Sequence, residues 1–295
     1  MLARINHFLG MIKFAHTIFA LPFAGIAVVI ALPHSGLLTD GVPNADFFWM
    51  MLKLLICMFA LRSAAMGFNR LVDRDIDAAN PRTAGREIPS GKLSPRTVGL
   101  LIAFFLVVFV AAAFWINPLC GFLAPVAIAL VLGYSYTKRF TFLCHFVLGL
   151  AIGVAPTAAY IALLGRVDPA PLLWSLGLMF YIAGFDILYA CQDADFDRES
   201  GLHSVPARFG VTPALWVARA SHVIALAAFL LAGHLSGTGW AFALTAAIVA
   251  GLFMIEHMLV RPGQLERIPI AFFHINASIS TVLFLGLVTD FLMGA

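Results

Sequence analysis

Long hydrophobic runs separated by short polar segments cover most of the chain. Each run is close to the roughly 20 residues that an α-helix needs to cross a bilayer. The pattern predicts nine transmembrane helices, at about residues 10–32, 47–68, 97–116, 119–137, 143–164, 171–191, 212–233, 237–259 and 270–292. A tight turn at Asn117-Pro118 is predicted to join the third helix to the fourth.

The composition narrows the class of protein. Hydrophobic residue types make up 62% of the 295 residues and charged types 11%, against about 45–50% and 25% in soluble domains. A water-soluble fold could not cover so much apolar surface. We therefore expect an all-α polytopic membrane protein, in contact with membrane lipid, with a single transmembrane domain over residues 1–295. No basic tract indicates nucleic-acid binding, and no feature indicates an obligate protein partner. The four cysteines form no Cys-x-x-Cys pair and are interpreted as small core residues.

Cationic residues fall almost entirely in alternate loops. If the nine helices alternate in direction, those loops share a side with the N-terminal segment, and the opposite loops contain only Arg166. Lys and Arg accumulate on the cytoplasmic side of membrane proteins. We therefore expect the N-terminus in the cytoplasm and the C-terminus outside. The expected membrane is a bacterial cytoplasmic (inner) membrane. The clustered cations are Arg4, Lys13, Arg70, Arg74, Arg82, Arg86, Lys92, Arg96, Lys138, Arg139, Arg198, Arg208, Arg261 and Arg267.

Two cytoplasmic loops begin with the same acidic pattern, Asp-x-Asp-x-Asp, at residues 73–77 and 193–197. Each follows a predicted helix, and the two lie four predicted helices apart. This spacing is typical of a parallel repeat of four helices. The two four-helix pseudo-repeats would turn their acidic ends toward each other.

Each acidic pattern continues a polar stripe that begins deeper in the membrane. Residues four apart share a helix face, so Asn69, Asp73 and Asp77 form one stripe, with Arg62 two turns deeper. In the second stripe, Asp193 and Asp197 repeat this spacing. Nearby lie Tyr189 and Gln192, and Asp186 lies seven residues before Asp193. A charged residue at membrane depth is costly, which predicts that Arg62 and Asp186 face a polar cavity.

Magnesium explains why carboxylates would be gathered in pairs. Without a cation, clustered carboxylates repel one another. Mg²⁺ prefers oxygen ligands and typically binds one or two carboxylates together with substrate phosphates. The sequence therefore predicts Mg²⁺ ligands at Asp73, Asp77, Asp193 and Asp197. The alternative is that these acids are solvated loop charges that pair with Arg74, Arg82 and Arg86. Lys138 and Arg139 are likewise interpreted either as diphosphate ligands or as interfacial anchors.

At these residues the sequence resembles the UbiA superfamily of intramembrane aromatic prenyltransferases. The family's first motif matches Asn69-Arg70-Leu71-Val72-Asp73-Arg74-Asp75-Ile76-Asp77, followed by Asn80-Pro81-Arg82-Thr83. Its second motif matches Asp193–Asp197, followed by Gly201-Leu202-His203-Ser204. Its Tyr-x-x-x-Lys matches Tyr134 and Lys138. The resemblance covers nearly the whole chain.

The resemblance implies nine helices around a central cavity, Mg²⁺, and a polyprenyl diphosphate donor whose chain is transferred to an aromatic hydroxy acid. Within the family the sequence is most similar to the 4-hydroxybenzoate polyprenyltransferases of quinone biosynthesis. Arg62 matches an arginine placed near the acceptor in those members. Asp186 is a candidate to stabilise a cation or to accept the ring proton. The substrate-binding residues expected on this basis are Arg62, Asn69, Arg70, Tyr134, Lys138, Arg139, Tyr189 and Gln192.

Two other functions are compatible with the sequence. The run Gly184–Asp193 is similar to a branch proposed to prenylate 1,4-dihydroxy-6-naphthoate for menaquinone by the futalosine route, and Phe185 stands where 4-hydroxybenzoate-using members often have Tyr. A secondary transporter with acidic ion sites is the alternative from another class. It would place its charges near the bilayer midplane, whereas most of the acids here lie at helix ends.

Overall fold

The structure is a computed structural model that describes Phe8, Gly10, Met11, residues 21–261, Leu265, Ile268 and residues 274–294. It divides into two compact units. Unit 1 comprises residues 37–136 with the N-terminal segment to Thr17, and unit 2 comprises residues 18–36 and 137–295. Each unit is built from helices that pack mainly against helices that are not adjacent in sequence. The prediction of a single domain over residues 1–295 stays a prediction.

In chain order the described helices are α1 (Leu21–Ala31), α2 (Ala45–Val72), α3 (Arg74–Ala79), α4 (Pro95–Ile116), α5 (Pro118–Thr137), α6 (Cys144–Gly153), α7 (Ala155–Leu164), α8 (Pro169–Ala190), α9 (Ala194–Glu199), α10 (Val205–Phe209), α11 (Val211–Leu235), α12 (Trp240–Leu259) and α13 (Asn276–Gly294). Single 3₁₀ turns occupy Leu32–His34 and Cys191–Asp193. The only described strands are β1 (Leu38–Thr39) and β2 (Val42–Pro43), an antiparallel pair.

Within the described residues, eight helical segments are long and apolar enough to cross a membrane. They correspond to the second to ninth predicted helices. The first predicted helix overlaps the shorter apolar segment Leu21–His34. Most of the residues before Leu21 in that predicted helix, including Lys13, lie outside the described residues. The prediction of an all-α integral membrane protein is confirmed. Large exposed side chains such as Phe104, Phe122 and Trp216 are what lipid contact requires.

Local sequence signals set the helix ends. The side chains of Asn44 and Ser94 accept hydrogen bonds from backbone N–H groups in the first turns of α2 and α4, which is the usual N-cap arrangement. Asn117 accepts from the Cys120 N–H at 2.8 Å just before Pro118, so the predicted tight turn lies there. Asp40 and Gly41 both have positive φ, as a two-residue hairpin turn requires.

Unit 1 is organised by the packing of α2 against α4. Ala64 of α2 meets Val98 and Ile102 of α4 in one apolar cluster. Ile88 and Leu93, from the charged loop that follows α3, join the same cluster. The loop is therefore anchored on the helices, which fixes the backbone around the first acidic motif.

Unit 2 is centred on α8, which packs against α6 and α11. Its side chains Trp174 and Tyr181 are fully buried, together with Phe229 of α11. On the α6 side, a Cβ added at Gly149 would lie 2.3 Å from the Met179 backbone oxygen, and one at Gly153 would lie 2.9 Å from the Ser175 oxygen. These two glycines let the α6 and α8 backbones approach closely, and they set the distance at which α6 side chains meet α8.

Candidate functional site

The first acidic motif lies at the end of α2. Although α2 ends at Val72, helical hydrogen bonding continues past it: the Asp73 N–H donates to the Asn69 oxygen at 2.9 Å and the Asp77 N–H to the Asp73 oxygen at 2.7 Å. Asn69, Asp73 and Asp77 therefore share one face, as the spacing predicts. The Asn69 side-chain amide also donates to Asp73 Oδ2 at 3.2 Å.

The three aspartates of this motif differ in their solvent exposure. Asp73 and Asp77 are each 3% exposed, whereas the Asp75 side chain is 83% exposed and pairs with Arg74 at 3.5 Å. Burying a carboxylate is unfavourable unless it is paired or binds a cation. Asp73 and Asp77 are therefore placed as functional acids would be, and Asp75 is an ordinary surface charge.

Asp77 has one paired oxygen and one unpaired oxygen. Its Oδ1 accepts a hydrogen bond from the Arg86 guanidinium at 2.6 Å, and its buried Oδ2 has no hydrogen-bond partner among the described residues. The sequence did not place Arg86 in the site, but treated it only as a possible charge partner. A Thr83 hydroxyl bond to the Asp77 backbone oxygen, at 3.0 Å, holds the folded loop that brings Arg86 back.

Arg70 extends this cluster, and Arg62 lies deeper in α2. Arg70 is 9% exposed and has Asp77, Arg86 and Tyr134 as electrostatic neighbours. Arg62 also lies close to Tyr134, and its buried Nε has no hydrogen-bond partner within the described residues. An N–H donor buried without an acceptor is unfavourable, and an anionic ligand would supply that acceptor.

The second acidic motif has a different backbone. Helix α8 ends at Ala190, a 3₁₀ turn covers Cys191–Asp193, and α9 begins at Ala194. The second motif therefore has the same aspartate spacing as the first, as expected. Its backbone conformation differs from the expected copy of the first motif. Asp193 and Asp197 are only partly buried. Asp195 has an 89% exposed side chain and pairs with Arg198 at 3.1 Å.

Asp197 has both acidic and basic side chains as neighbours. The Ser204 hydroxyl lies close to it, and Asp193, Lys138 and His145 are its electrostatic neighbours. The loop after α9 is held in place because the His203 N–H donates to the Lys138 backbone oxygen at 2.7 Å. Lys138 thus follows α5 directly and lies beside the second motif.

Three other predicted binding residues lie near this motif within unit 2. Arg139, Tyr189 and Gln192 are all partly buried. The Gln192 side-chain amide donates a hydrogen bond to the Tyr189 backbone oxygen at 3.3 Å. This bond lies within the turn that precedes Asp193.

Asp186 has a close partner that the sequence analysis missed. His145 Nδ1 lies 2.7 Å from Asp186 Oδ2, and His145 is 3% exposed. The pattern His145-x-x-x-Gly149-x-x-x-Gly153 could have pointed to it, because it places one polar residue on a face that is otherwise glycine and so suited to close packing.

The acidic residues fit a divalent cation that is shared with a phosphate ligand. In neither unit, as far as its residues are described, do three His, Cys, Asp or Glu side chains form a complete metal site. Each unit instead supplies two carboxylates. This number suits Mg²⁺, which completes its coordination with water and substrate phosphates. The unpaired buried oxygen of Asp77 is the donor that such an ion would use.

A sequence model of the UbiA prenyltransferase family matches residues 18–278, which include both acidic motifs. The chain belongs to this family. It is a membrane-embedded prenyltransferase rather than a secondary transporter, and the predicted family is confirmed.

Named relatives and solved structures agree with this membership. A 4-hydroxybenzoate octaprenyltransferase from Aeromonas hydrophila subsp. hydrophila is 31% identical over 256 residues, covering 87% of this chain and 88% of the relative. A UbiA homologue from Aeropyrum pernix K1, solved in its apo form, superposes with a TM-score of 0.80 at 28% identity, covering 93% of this chain and 98% of the homologue. A UbiA homologue from Archaeoglobus fulgidus, solved with DMAPP and Mg²⁺, shares the fold at 20% identity with a TM-score of 0.64, covering 94% and 98% of the two chains.

Proposed function

We propose that this enzyme transfers a polyprenyl group from a polyprenyl diphosphate to the ring of 4-hydroxybenzoate, in a reaction that requires Mg²⁺. The observation that carries the proposal is the Asp73–Asp77 pair, two carboxylates buried to 3% exposure at the end of a membrane-spanning helix. One of their oxygens has no partner among the described residues. The name of the Aeromonas relative supports the acceptor.

The two units are proposed to act as one domain over residues 1–295, with Asp73 and Asp77 from unit 1 and Asp193 and Asp197 from unit 2 as the metal ligands. The match of one family model across both units supports this assembly. When bound, Mg²⁺ would neutralise the diphosphate as it leaves the allylic carbon. The active-site opening and the N-terminus are proposed to lie on the cytoplasmic side, where the cationic loops are expected.

The donor is proposed to be held by cationic and polar side chains around its diphosphate. Arg70, Lys138 and Arg139 donate charge-assisted hydrogen bonds to its oxygens, with Asn69, Tyr134, Tyr189 and Gln192 as neutral contacts. Apolar residues enclose the isoprenoid chain, as expected in a bundle that is 62% hydrophobic by composition. Excluding water protects the allylic cation that forms when the carbon–oxygen bond breaks.

The acceptor is proposed to bind with its carboxylate against Arg62. The buried Nε of Arg62, which has no partner within the described residues, would donate to that carboxylate. The ring carbon ortho to the hydroxyl then attacks the allylic carbon. Asp186, which has a 27% exposed side chain, accepts the proton that this carbon loses.

The alternative acceptor is 1,4-dihydroxy-6-naphthoate. The observation that favours it is Phe185, which is buried and lies edge-on to Tyr181 at 5.3 Å between ring centroids. An apolar ring at this position departs from the tyrosine that is frequent in 4-hydroxybenzoate-using members.

The test is to incubate membranes containing the enzyme with a polyprenyl diphosphate and Mg²⁺, and to offer each acceptor separately. Mass spectrometry of the lipid extract should reveal prenylated 4-hydroxybenzoate that disappears when EDTA is added. Prenylated naphthoate alone would replace the proposed acceptor by the alternative. No prenylated product from either acceptor would contradict the proposed function.

A further inference from the structure

His145 is a buried polar residue in a helical segment that is apolar enough to cross a membrane. His145 lies in the first turn of α6 and is 3% exposed. Its Nδ1 lies 2.7 Å from Asp186 Oδ2, and its Nε2 lies 3.2 Å from the Val205 backbone nitrogen. Both ring nitrogens are therefore engaged, one with a candidate catalytic carboxylate and one with the loop that follows the second acidic motif.

These two bonds fix the tautomer of the ring. The Val205 N–H can only donate, so Nε2 must accept and carries no proton. The proton of the neutral imidazole is then on Nδ1, from which it is donated to Asp186 Oδ2. A histidine held in one tautomer by a second-layer partner is a common way to orient a functional group.

The close approach of α6 and α8 brings His145 next to α8. His145, Gly149 and Gly153 are spaced by four and share the face of α6 that meets α8. The glycines bring the α6 backbone against Met179 and Ser175. At this short distance the imidazole, one turn before Gly149, reaches the Asp186 side chain.

The loop that contacts His145 Nε2 through Val205 also lies next to Asp197. The hydroxyl of Ser204, the residue before Val205, lies close to the Asp197 carboxylate. The Cys144 thiol, next to His145, donates to the His203 backbone oxygen at 3.3 Å. One short segment of α6 thus holds the loop residues that contact Asp197 and, through His145, the side chain of Asp186.

We propose that His145 is a positioning residue that holds Asp186 Oδ2, so that Asp186 Oδ1 is aimed to accept the ring proton of the aromatic substrate. This inference rests on the proposed function of Asp186. In the step concerned, the ring C–H bond breaks, its electron pair returns to the ring and restores aromaticity, and the proton moves to Oδ1. His145 itself exchanges no proton, because its one proton stays on Nδ1.

The experiment compares His145→Leu, which removes both hydrogen bonds, with His145→Gln, whose amide oxygen can accept from Val205 and whose amide nitrogen can donate to Asp186. His234→Leu is the matched control, because His234 is exposed and lies in the same unit. Each purified variant is assayed with 4-hydroxybenzoate and with the same acid deuterated at the two ring positions ortho to the hydroxyl. His145→Asn, which is polar but too short to bridge, replaces the Leu variant if that variant does not fold.

We expect His145→Leu to lower kcat at least about tenfold while KM for both substrates changes less than about twofold. Proton loss then limits turnover, so a ring-deuterium isotope effect should appear that is absent from the wild type and from His234→Leu. His145→Gln should recover most of kcat. A wild-type rate in His145→Leu, a loss without the isotope effect, or an equal loss in His145→Gln would each overturn the inference.

Asp186→Asn separates this inference from the proposed function. Near-normal turnover of Asp186→Asn would contradict the proton-acceptor role itself. An impaired Asp186→Asn enzyme together with a fully active His145→Leu enzyme would contradict the positioning role of His145 alone.

Discussion

The two acidic motifs share their spacing but differ in how the protein supports them. In unit 1, Asp73 and Asp77 are buried to 3% exposure and Arg86 holds one oxygen of Asp77 at 2.6 Å. In unit 2, Asp193 and Asp197 are only partly buried, and Ser204 and Lys138 are among the neighbours of Asp197. The first motif is preorganised by an internal ion pair, and the second is held by a loop anchored on α6.

This difference teaches that one sequence pattern can have two structural roles. A buried ion pair is costly to break, because one charge is left buried and unpaired. A partly exposed carboxylate remains solvated and is cheaper to change. We therefore expect substitutions in the first motif to reduce both activity and stability, and substitutions in the second to reduce activity alone.

Replacing the acids themselves should have the largest effect. Asp77→Asn and Asp197→Asn should each lower activity by a factor of at least about 100, because each removes a proposed metal ligand. Only Asp77→Asn should also lower the free energy of unfolding, by about 1–3 kcal/mol, because Arg86 loses its charged partner. Prenyl transfer in membranes and thermal unfolding in detergent measure the two quantities.

The exposed middle aspartates provide the controls for that comparison. Asp75→Asn and Asp195→Asn make the same chemical change at side chains that are 83% and 89% exposed. Both should retain near-normal activity and stability. If a middle aspartate proved as important as its neighbours, the distinction between buried ligands and surface charges would be wrong.

Arg62 should separate substrate binding from folding. Arg62→Met should raise KM for the aromatic acid about tenfold or more, because a charge-assisted hydrogen bond contributes roughly 1.5–3 kcal/mol, and should leave KM for the diphosphate unchanged. Its thermal stability should not fall, because the substitution removes a buried donor that has no partner among the described residues. Steady-state kinetics with each substrate varied in turn test this. Equal KM changes for both substrates would contradict an acceptor site at Arg62.

Replacing the arginine next to each motif should lower stability by different amounts, and the difference should be smaller than the effect of replacing the acids on activity. Arg86→Gln breaks the partly buried pair with Asp77 and should cost about 1–3 kcal/mol of stability. Arg198→Gln breaks the exposed pair with Asp195 at 3.1 Å and should cost less than about 1 kcal/mol. The midpoints of thermal unfolding of the two variants report the difference. Equal shifts would show that the ion pair does not distinguish the motifs.

The smallest expected effect is that of Ser204→Ala. This change removes the hydroxyl that lies close to Asp197 and that accepts a hydrogen bond from the Ala207 N–H at the start of α10. The loss of an N-cap costs about 0.5–2 kcal/mol, and activity should fall by a few fold. Ser204→Thr keeps the hydroxyl and serves as the control. A fully active and stable Ser204→Ala enzyme would show that this loop does not support the second motif.

The fold was predictable from the sequence because the bilayer sets the length of each helix. Hydropathy alone located the eight membrane-crossing segments of the described residues. The stripe Asn69–Asp73–Asp77 was also predictable, since helical periodicity places residues four apart on one face. The hairpin at Asp40-Gly41 carries a readable turn signal, although its two strands are only two residues long.

The supporting contacts were not predictable, because they depend on tertiary packing. Arg86 reaches Asp77 in a loop whose Ile88 and Leu93 pack onto α2 and α4. His145 meets Asp186 across 41 residues of sequence and Val205 across 60. The 3₁₀ turn at Cys191–Asp193 has no strong local signal, so the second motif was expected to copy the first. The roles assigned to the site residues stay predictions.

The central claim is that both acidic motifs bind one Mg²⁺–diphosphate group. The most direct measurement is the affinity of a non-reactive prenyl thiodiphosphate for the purified enzyme, with and without Mg²⁺, in the wild type, Asp73→Asn and Asp193→Asn. The account predicts that Mg²⁺ strengthens binding to the wild type and that either substitution alone abolishes this effect. Undiminished Mg²⁺-dependent binding in either variant would contradict it.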